Sequence, residues 1–361
     1  MRYDMRAPDN VSSPHRRHSA GVRDGLPALA GFEEELSGMP AASAAKSKRV
    51  LIVNADDLGL TDGVTEGIVQ AWREGVVTST SAMINMEGAA ERVAAVHRAH
   101  PELPIGLHVN ITAGRPVLPP ERVPTLVDRE GRFHSIDTIP LHLLRISLDE
   151  LRAELRAQAE RLLETGVRFT HIDYHHHIVV LYTPFYRIVR ELAKEFGVPV
   201  RQPVPASVSG VIRFPSAMRS SAVSQMMGFA LRHPILAARM VRHMTPAAVR
   251  RQAELLKRDG VRAPDWFIDG FYGNATVENF VFMLERLPEG ISEVVVHPGK
   301  ADEALRRMGA GYIEEREAEL KVLTDPRVRE ACAAFGVQLA SYELLRASPR
   351  ASLAVETPKR E

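Results

Sequence analysis

The sequence predicts an α/β fold in which about seven parallel strands alternate with helices. Three observations support this prediction. Short apolar runs rich in β-branched residues alternate with longer segments of helical period. The connections between successive runs are long enough for the crossovers that parallel strands require. Acidic residues and histidines stand where several of the runs end. An open doubly wound sheet and a closed barrel both satisfy the alternation.

The chain of 361 residues divides into three regions. Residues 1–48 mix Pro, Ser, Ala and scattered charges without a sustained period, so we expect a disordered extension there. The acids in this region argue against an organelle-type leader. Residues 49–346 carry the alternating segments and form the predicted barrel domain. Residues 347–361 are polar and are expected to be a loose tail.

The predicted strands are short runs in which Val, Ile and other apolar residues dominate. The run before His297 is the clearest example, and the last run is expected to complete the sheet. The predicted strands are Val50–Asn54, Val77–Asn85, Ile105–Ile111, Arg168–Asp173, Val198–Gln202, Trp266–Tyr272, Ser292–His297 and Val337–Tyr342.

The predicted helices carry apolar residues at helical spacing, as Leu148, Leu151 and Leu155 do. Thr245-Pro246 predicts a helix start, because Pro is favoured at the first helical position. The Met-rich stretch 212–243 has two interpretations: a lid over the site, or a helix packed on the outside of the barrel. The other predicted helices are Gly63–Glu74, Glu87–His100, Leu148–Thr165, Pro184–Phe196, Thr276–Leu287, Tyr312–Leu323 and Pro326–Phe335.

Composition excludes several classes of protein. The net charge is +1, and no basic stripe is interleaved with aromatics, so nucleic acid is not an expected partner. The single cysteine, Cys332, excludes an intrachain disulfide framework and indicates a reducing compartment. We find neither an apolar run of membrane-spanning length nor a signal pattern. These features predict a cytoplasmic protein without a transmembrane segment.

The first predicted strand is followed by two adjacent acids, Asp56 and Asp57. Successive strand residues point to opposite sides, so the two carboxylates cannot do the same job from the same direction. Two acids this close repel each other, which favours a bound cation or a shared proton. As an alternative, Asp57 caps the helix that begins near Thr61.

Histidines stand at three further strand ends. His108 lies late in the third strand, His297 ends the strand near residue 295, and three consecutive histidines follow Asp173. In an extended chain Asp173, His175 and His177 would share one face. Two histidines and one carboxylate leave coordination positions open, which suits a catalytic metal. The alternatives are a packed strand histidine at His108 and a solvated loop at the triple-histidine run.

These positions favour the barrel. In a (β/α) barrel the carboxyl ends of all strands point at one mouth, where active sites are built. An open sheet would spread the same residues along an edge.

The chain resembles the YdjC-like carbohydrate deacetylase family in five segments, which occur in the family's order and span about residues 49–345. The resemblance implies a distorted TIM-like barrel and a divalent-metal site, with Mg²⁺ or Zn²⁺ expected, that removes N-acetyl groups from sugars. Leu58 stands where the family usually has Phe, and Tyr174 where Ser or Ala is common. The segments are Asn54–Gly59, Gly75–Ser81, Gly106–His108, Thr170–His177 and His297–Gly299.

Carried over residue by residue, the resemblance assigns the metal to Asp57, His108 and His175. It makes Asp56 and His297 the catalytic partners. On chemical grounds Asp56 is the base that takes a proton from the attacking water, and His297 is the acid that protonates the leaving amine. Zinc can lower the pKa of a bound water to about 7, which makes hydroxide available.

Three more residues are expected to meet the substrate. Arg201 steadies Asp56 or a sugar hydroxyl, unless it is a solvated surface arginine. His177 is a second choice for the acid. Tyr272 could stack on a sugar ring, although such residues are more often core.

The N-acetylated sugar is either an oligosaccharide or a glycolipid. The loop Gly114–Pro120 with Leu126-Val127-Asp128 resembles the family branch associated with hopanoid biosynthesis, which implies peripheral contact with a lipid-linked substrate. The sequence does not decide the oligomeric state, and a homodimer is one alternative. Two other functions fit the residues: a metal-dependent phosphoesterase or sugar isomerase, and a non-catalytic sugar-binding module. We find no Gly-rich phosphate cradle, and a binding module has little need for both Asp56 and His297.

Overall fold

The computed structural model of the chain describes residues 49–205, 209–212, 231, 234, 238, 245–309 and 312–346. The predicted extension 1–48 and tail 347–361 lie outside the described residues, as does most of the Met-rich stretch 212–243. Within the described part of the chain, no helix has the length and apolar character needed to span a membrane.

Seven parallel strands form one sheet, as the alternating pattern predicts. The sheet has the order β4-β3-β2-β1-β6-β5, and β7 pairs with the first half of β1. Every pairing between neighbouring strands is parallel. In chain order the strands are β1 Arg49–Leu58, β2 Ser79–Ala82, β3 Ile105–Val109, β4 Ile172–Tyr174, β5 Trp266–Ile268, β6 Gly290–Val296 and β7 Val337–Ala340.

Two single bridges connect the outer strands of this sheet. Val200 pairs with Ile172 of β4, and Pro205 pairs with Phe267 of β5, both in parallel. The predicted strand Val198–Gln202 is therefore reduced to isolated bridges. Proline has no backbone N–H to donate, and prolines stand at 199, 203 and 205, so a continuous ladder cannot form. The result is a distorted TIM-like barrel with an irregular closing segment.

The helices begin and end close to the predicted positions. The Ser147, Thr245 and Thr276 hydroxyls each accept a backbone N–H of the first turn, which accounts for three of the helix starts. The α-helices whose two ends lie within the described ranges are α1 Asp62–Glu74, α2 Ala89–Ala99, α3 Ile139–His142, α4 Leu148–Glu164, α5 Ile178–Leu181, α6 Thr183–Phe196, α7 Pro246–Arg258, α8 Val277–Glu285, α9 Glu303–Arg307, α10 Glu314–Leu323 and α11 Pro326–Ala334. The short helices α3, α5 and α9 were not predicted.

The two faces of β1 differ in character, although the strand is buried from Val50 to Leu58. Leu51, Val53 and Ala55 belong to the main hydrophobic core. Asn54 and Asp56 alternate with them and bond to polar side chains of other strands and of the closing segment. Because side chains alternate along a strand, the apolar face serves packing and the other face builds a polar interior.

Candidate functional site

A β-bulge at the end of β1 separates the roles of the two adjacent acids. The register of β1 against β2 shifts between Ala55 and Leu58. Within the bulge Asp57 has a φ of 74°, in the left-handed region that side-chain-bearing residues rarely adopt. Such a conformation costs about 1–3 kcal/mol and is often found at functional sites. The bulge redirects Asp57, so that its carboxylate meets His108 and His175 instead of capping α1; the N-cap of α1 is Thr61.

Asp57, His108 and His175 place three ligand atoms around one point. Asp57 Oδ1 lies 3.4 Å from His108 Nε2 and 3.2 Å from His175 Nδ1, and the two nitrogens are 3.3 Å apart. Ligand atoms that surround one ion at about 2.0–2.1 Å lie roughly 3.0–3.4 Å from each other. Asp57 Oδ1 is buried without a hydrogen-bond partner. The three residues therefore fit a divalent cation in distance and in chemistry.

The residues around His108 orient its ring for this task. His108 Nδ1 lies 2.9 Å from Asp173 Oδ1 and 3.2 Å from Ser81 Oγ. A carboxylate that accepts the Nδ1 proton leaves Nε2 as the electron-pair donor, the usual arrangement behind a metal-bound histidine. Burial alone would lower the pKa of His108, but the carboxylates of Asp173 and Asp56 raise it to about 10. The pocket thus favours positive charge where the three ligand atoms meet.

Asp56 belongs to a different set of contacts. Arg201 binds its carboxylate with both terminal nitrogens, at 2.8 Å to Oδ2 and 2.6 Å to Oδ1. Asn54 Nδ2 also donates to Oδ1, at 2.9 Å. A bidentate guanidinium fixes the plane of a carboxylate as well as its charge. Asp56 is therefore held in a fixed orientation beside Asp57, His108 and His175, which are together called the metal-type cluster.

Arg201 is shared among three buried carboxylates. Besides Asp56, its guanidinium lies 2.9 Å from Asp173 Oδ2 and 2.9 Å from Glu293 Oε1. Tyr342 donates its hydroxyl proton to Glu293 Oε2 at 2.6 Å. Arg201 is 1% exposed, so the alternative of a solvated surface arginine is wrong. Its placement agrees with the expectation that it steadies Asp56.

His297 lies at the end of β6, with part of its ring open to solvent. Its backbone N–H donates to Glu319, and its Nδ1 is 3.9 Å from Glu319 Oε1 without a hydrogen-bond partner. Desolvation lowers the pKa of the imidazole to about 4, although Asp56 and Asp57 oppose this shift. The resting His297 ring is therefore neutral at neutral pH. Burial raises the pKa of the neighbouring Glu319 carboxyl to about 7.

An aromatic surface adjoins His297. Tyr272 stacks on Tyr312 with ring centroids 4.1 Å apart and planes inclined by 10°. The Tyr272 ring also meets the His297 ring edge-on at 5.2 Å. Tyr272 is 50% exposed, so it is not a core residue and offers a flat face next to the site.

His177 does not join the ligand cluster. The chain stops being extended after Tyr174, because His176 has a φ of 49°. The expectation that Asp173, His175 and His177 share one strand face is therefore wrong, although Asp173 and His175 both reach His108. His177 is exposed and packs edge-on against Tyr174 and Phe267.

Two further residues of the site, Arg316 and Glu319, were not predicted from the sequence; α10 brings them to the site. Arg316 Nη2 lies 2.6 Å from Asp57 Oδ2, and Glu319 contacts His297 as described above. Both are buried, and they share the helix face of Leu320 and Leu323. Charged residues at positions whose helical spacing places them toward the core are the signal that could have revealed them.

Comparisons with known proteins agree with this architecture. The model of the YdjC-like protein family matches residues 50–334. A carbohydrate deacetylase of Brevibacillus brevis is 34% identical over 82% of this chain and 99% of its own length. A chitooligosaccharide deacetylase of Yersinia enterocolitica is 31% identical over 82% of this chain and 98% of its own length.

A solved structure from Enterococcus faecalis V583 has the same fold. It is described as a candidate cellobiose-phosphate cleavage protein. Its comparison with this chain gives a TM-score of 0.67 and 29% sequence identity. The match covers 83% of this chain and 100% of that one. Together with the family match, these similarities show that the chain belongs to the YdjC-like family.

Proposed function

We propose that this protein removes N-acetyl groups from an N-acetylglucosamine-type sugar and releases acetate. The observation that carries the proposal is the cluster of Asp57, His108 and His175 with Asp56 held next to it. The relatives described as carbohydrate and chitooligosaccharide deacetylases support the sugar amide as the substrate class.

Asp57, His108 and His175 would hold one divalent ion, Mg²⁺ or Zn²⁺. Two imidazoles in the ligand set suit Zn²⁺ better than Mg²⁺, which prefers oxygen ligands. When bound, such an ion polarises the acetyl carbonyl and lowers the pKa of a coordinated water. The chain's own contribution is the orientation of the three donor atoms, which Asp173 and the bulge at Asp57 maintain.

Asp56 accepts the proton of the attacking water in this proposal. Its carboxylate lies beside the cluster, and its Oδ2 is 3.8 Å from His108 Nδ1. Arg201 holds the carboxylate plane in place, so the base does not have to be reoriented during the reaction. Arg201 therefore acts through Asp56, and its burial speaks against contact with a sugar hydroxyl.

His297 protonates the amine nitrogen as the C–N bond breaks. Because its resting imidazole is neutral, the ring must first take up a proton within the catalytic cycle. Glu319, on the Nδ1 side of the ring, is placed to stabilise the resulting imidazolium. His177, which is exposed and packs against Tyr174 and Phe267, remains the second choice for this acid.

Tyr272 offers the stacking surface for the sugar ring. Its half-exposed face, supported from behind by Tyr312, suits the apolar face of a pyranose. The edge contact between Tyr272 and His297 would bring a stacked sugar close to the acid.

A cavity of about 970 Å³ would hold the rest of the substrate. Its wall includes Gly114, Val127 and Asp128, which belong to the loop that resembles the hopanoid-associated branch. Thr112, which also lines the cavity, is hydrogen-bonded to His176 at 2.9 Å, next to the metal-type cluster. A further sugar or a lipid-linked group fits this placement, and peripheral contact with a membrane is part of the lipid alternative.

Acetate release is the decisive test. Purified protein would be incubated with N-acetylglucosamine oligomers and with an N-acetylated glycolipid, after loading with Zn²⁺ or Mg²⁺ and with a chelator control. We expect acetate to form in stoichiometric amounts with free amine, and only with metal. Phosphate release from sugar phosphates without acetate release would instead favour the phosphoesterase alternative. Binding of the sugars without turnover would favour the binding module.

The setting of the reaction stays a prediction. We propose that the protein works in the cytoplasm, which the single buried cysteine supports. Fractionation of cells would test this, and sedimentation analysis would test the homodimer.

A further inference from the structure

Arg316 joins α10 to the candidate metal ligand Asp57. Its Nη2 lies 2.6 Å from Asp57 Oδ2, and the two side chains are 6% and 1% exposed. Its Nε donates to the carbonyl of Tyr312 at 3.2 Å, one turn earlier in the chain. The Nε bond to the backbone thus fixes the guanidinium, and Nη2 faces the Asp57 carboxylate.

The two oxygens of Asp57 are therefore in different situations. Oδ2 is engaged by Arg316, whereas Oδ1 has no hydrogen-bond partner and faces His108 and His175. Burial would raise the pKa of Asp57, but the Arg316 guanidinium and the two histidines hold it well below its usual range. A carboxylate without such a partner could turn both oxygens toward a cation.

We propose that Arg316 is a positioning residue that presents Asp57 to the metal ion through Oδ1 alone. This inference rests on the metal site of the proposed function. An aspartate can bind a cation with one oxygen or with two, and the choice sets how many positions stay open for water and substrate. By occupying Oδ2, Arg316 keeps Asp57 a one-oxygen ligand.

The space for Arg316 depends on Gly299, the last residue of the His297-Pro298-Gly299 segment. A Cβ at position 299 would lie 3.2 Å from Arg316 Cδ and 3.3 Å from Val64 Cγ2. The Gly299 N–H also donates to the Arg316 carbonyl at 3.2 Å. Gly299 therefore contacts Arg316 in two ways: it bonds the Arg316 backbone, and its missing side chain leaves space for the Arg316 side chain.

The positioning role and the charge of Arg316 predict opposite changes in metal affinity when Arg316 is removed. A positive charge next to a cation site weakens cation binding, so its removal would tighten metal binding if charge were its whole contribution. A positioning role predicts weaker binding after removal, because Asp57 loses its fixed orientation. The direction of the change therefore separates the two roles.

The test compares Arg316→Met and Arg316→Lys with the wild-type protein. Arg190→Met serves as the matched control, because Arg190 is a buried arginine paired with Asp259 and lies on α6, outside the site. Metal-free proteins are titrated with Co²⁺ and with Zn²⁺ against a competing chelator. The Co²⁺ absorption spectrum reports the coordination number, and thermal unfolding of the metal-free forms reports the fold.

We expect Arg316→Met to weaken metal binding by roughly 10-fold or more, the usual effect of losing a group that orients a ligand. Its Co²⁺ bands should weaken and shift as the coordination number rises, Arg316→Lys should recover part of the affinity, and Arg190→Met should match the wild type. Unchanged or tighter metal binding in folded Arg316→Met overturns the inference, and so does an Arg316→Lys variant that binds metal no better than a folded Arg316→Met variant. If the wild-type protein itself binds no metal, the proposed metal site fails, and the inference fails with it.

Discussion

Asp56 and Asp57 are neighbours in the chain, yet their carboxylates meet different partners. Asp56 lies on the polar face of β1 and binds Arg201, whereas the left-handed backbone at Asp57 turns its carboxylate toward His108 and His175. In a regular strand the two side chains would point to opposite faces. The bulge is what allows one pair of residues to supply a candidate base and a candidate ligand to the same site.

The Asp56→Asn variant tests this division of roles. An amide cannot accept the water proton, so we expect turnover to fall by about 10²–10⁴-fold while bound metal stays at the wild-type level. Acetate release and metal content by elemental analysis would be measured on the same sample. In the matched variant Asp57→Asn, the content of bound metal should fall below the wild-type level, and turnover should fall with it. If Asp56→Asn loses its metal instead, the two roles have been exchanged.

The His297→Ala variant tests the acid. An amine leaves only when protonated, so we expect acetate release from an N-acetyl sugar to fall by about 10²-fold or more. Hydrolysis of 4-nitrophenyl acetate should fall much less, because nitrophenolate leaves without a proton. Equal losses on both substrates would contradict the acid role, and His177→Ala provides the comparison for the second choice.

At the scale of single elements, α4 ties the loop after β3 to the barrel. Glu154 of α4 accepts the backbone N–H groups of Val117 and Leu118 at 2.9 and 3.0 Å. Gln158, one turn later, bonds both the N–H and the carbonyl of Asn110. A single helix face thus replaces the hydrogen bonds that this irregular segment lacks, and the segment forms part of the cavity wall.

Glu154 also makes the stability of this region depend on pH. Burial raises the pKa of Glu154 above its ordinary value of 4.5, against the effect of its hydrogen-bond donors. The folded state therefore binds this proton more tightly than the unfolded state, so the contribution to stability is complete below pH 4.5 and is lost as pH rises through the folded pKa. Urea unfolding at several pH values should show this loss in wild type but not in Glu154→Gln.

The Glu154→Ala variant tests the tie itself. It leaves two backbone N–H groups without an acceptor, so we expect a loss of about 2 kcal/mol or more in the free energy of unfolding. Glu154→Gln keeps a carbonyl acceptor and should lose less. Equal stability of the Ala variant and the wild type would mean that water replaces the carboxylate at no cost.

At the scale of the whole molecule, the barrel gathers residues that are far apart in sequence into one charged interior. Arg201 comes from the irregular closing segment and meets Asp56, Asp173 and Glu293 from three different strands or strand ends. Removing one partner of a buried ionic network leaves the others uncompensated. The closing segment therefore supports both the fold and Asp56, the candidate base.

The Arg201→Met variant should lower the free energy of unfolding by about 3–5 kcal/mol, because three carboxylates would be left without their counter-charge. Denaturant unfolding measures this loss directly. The surface variant Arg156→Met, which removes an exposed arginine paired with Glu160, is the control and should change stability little. A small effect at Arg201 would show that the carboxylates take up protons at little cost.

Metal binding should stabilise the whole molecule. An ion that binds only the folded state adds about 2.7 kcal/mol at 100 times its Kd, and a chelator removes this contribution. We therefore expect thermal unfolding of the wild type to shift upward on metal addition, and His108→Ala to show no shift. A shift of equal size in His108→Ala would place the ion elsewhere.

Much of the site could be predicted because strand ends are visible in the sequence. The apolar runs before Asp56, His108 and His297 indicated parallel strands, and a barrel requires their carboxyl ends to meet. The three predicted ligands are indeed within contact of one another. Arg316 and Glu319 escaped prediction because a helix reveals its face but not the residue it contacts, and Asp57 is 259 positions away from Arg316.

The sequence by itself determined the alternation of strands and helices, the positions of most helix starts, and which residue types stand at the strand ends. These features depend on local periodicity and on neighbours a few positions apart. Only the tertiary structure decided the bulge at Asp57, the burial of Arg201 and the contact of α10 with the carboxylate of Asp57, the candidate ligand. Each of these depends on packing between distant segments, because a side chain's environment is set by what the fold places against it.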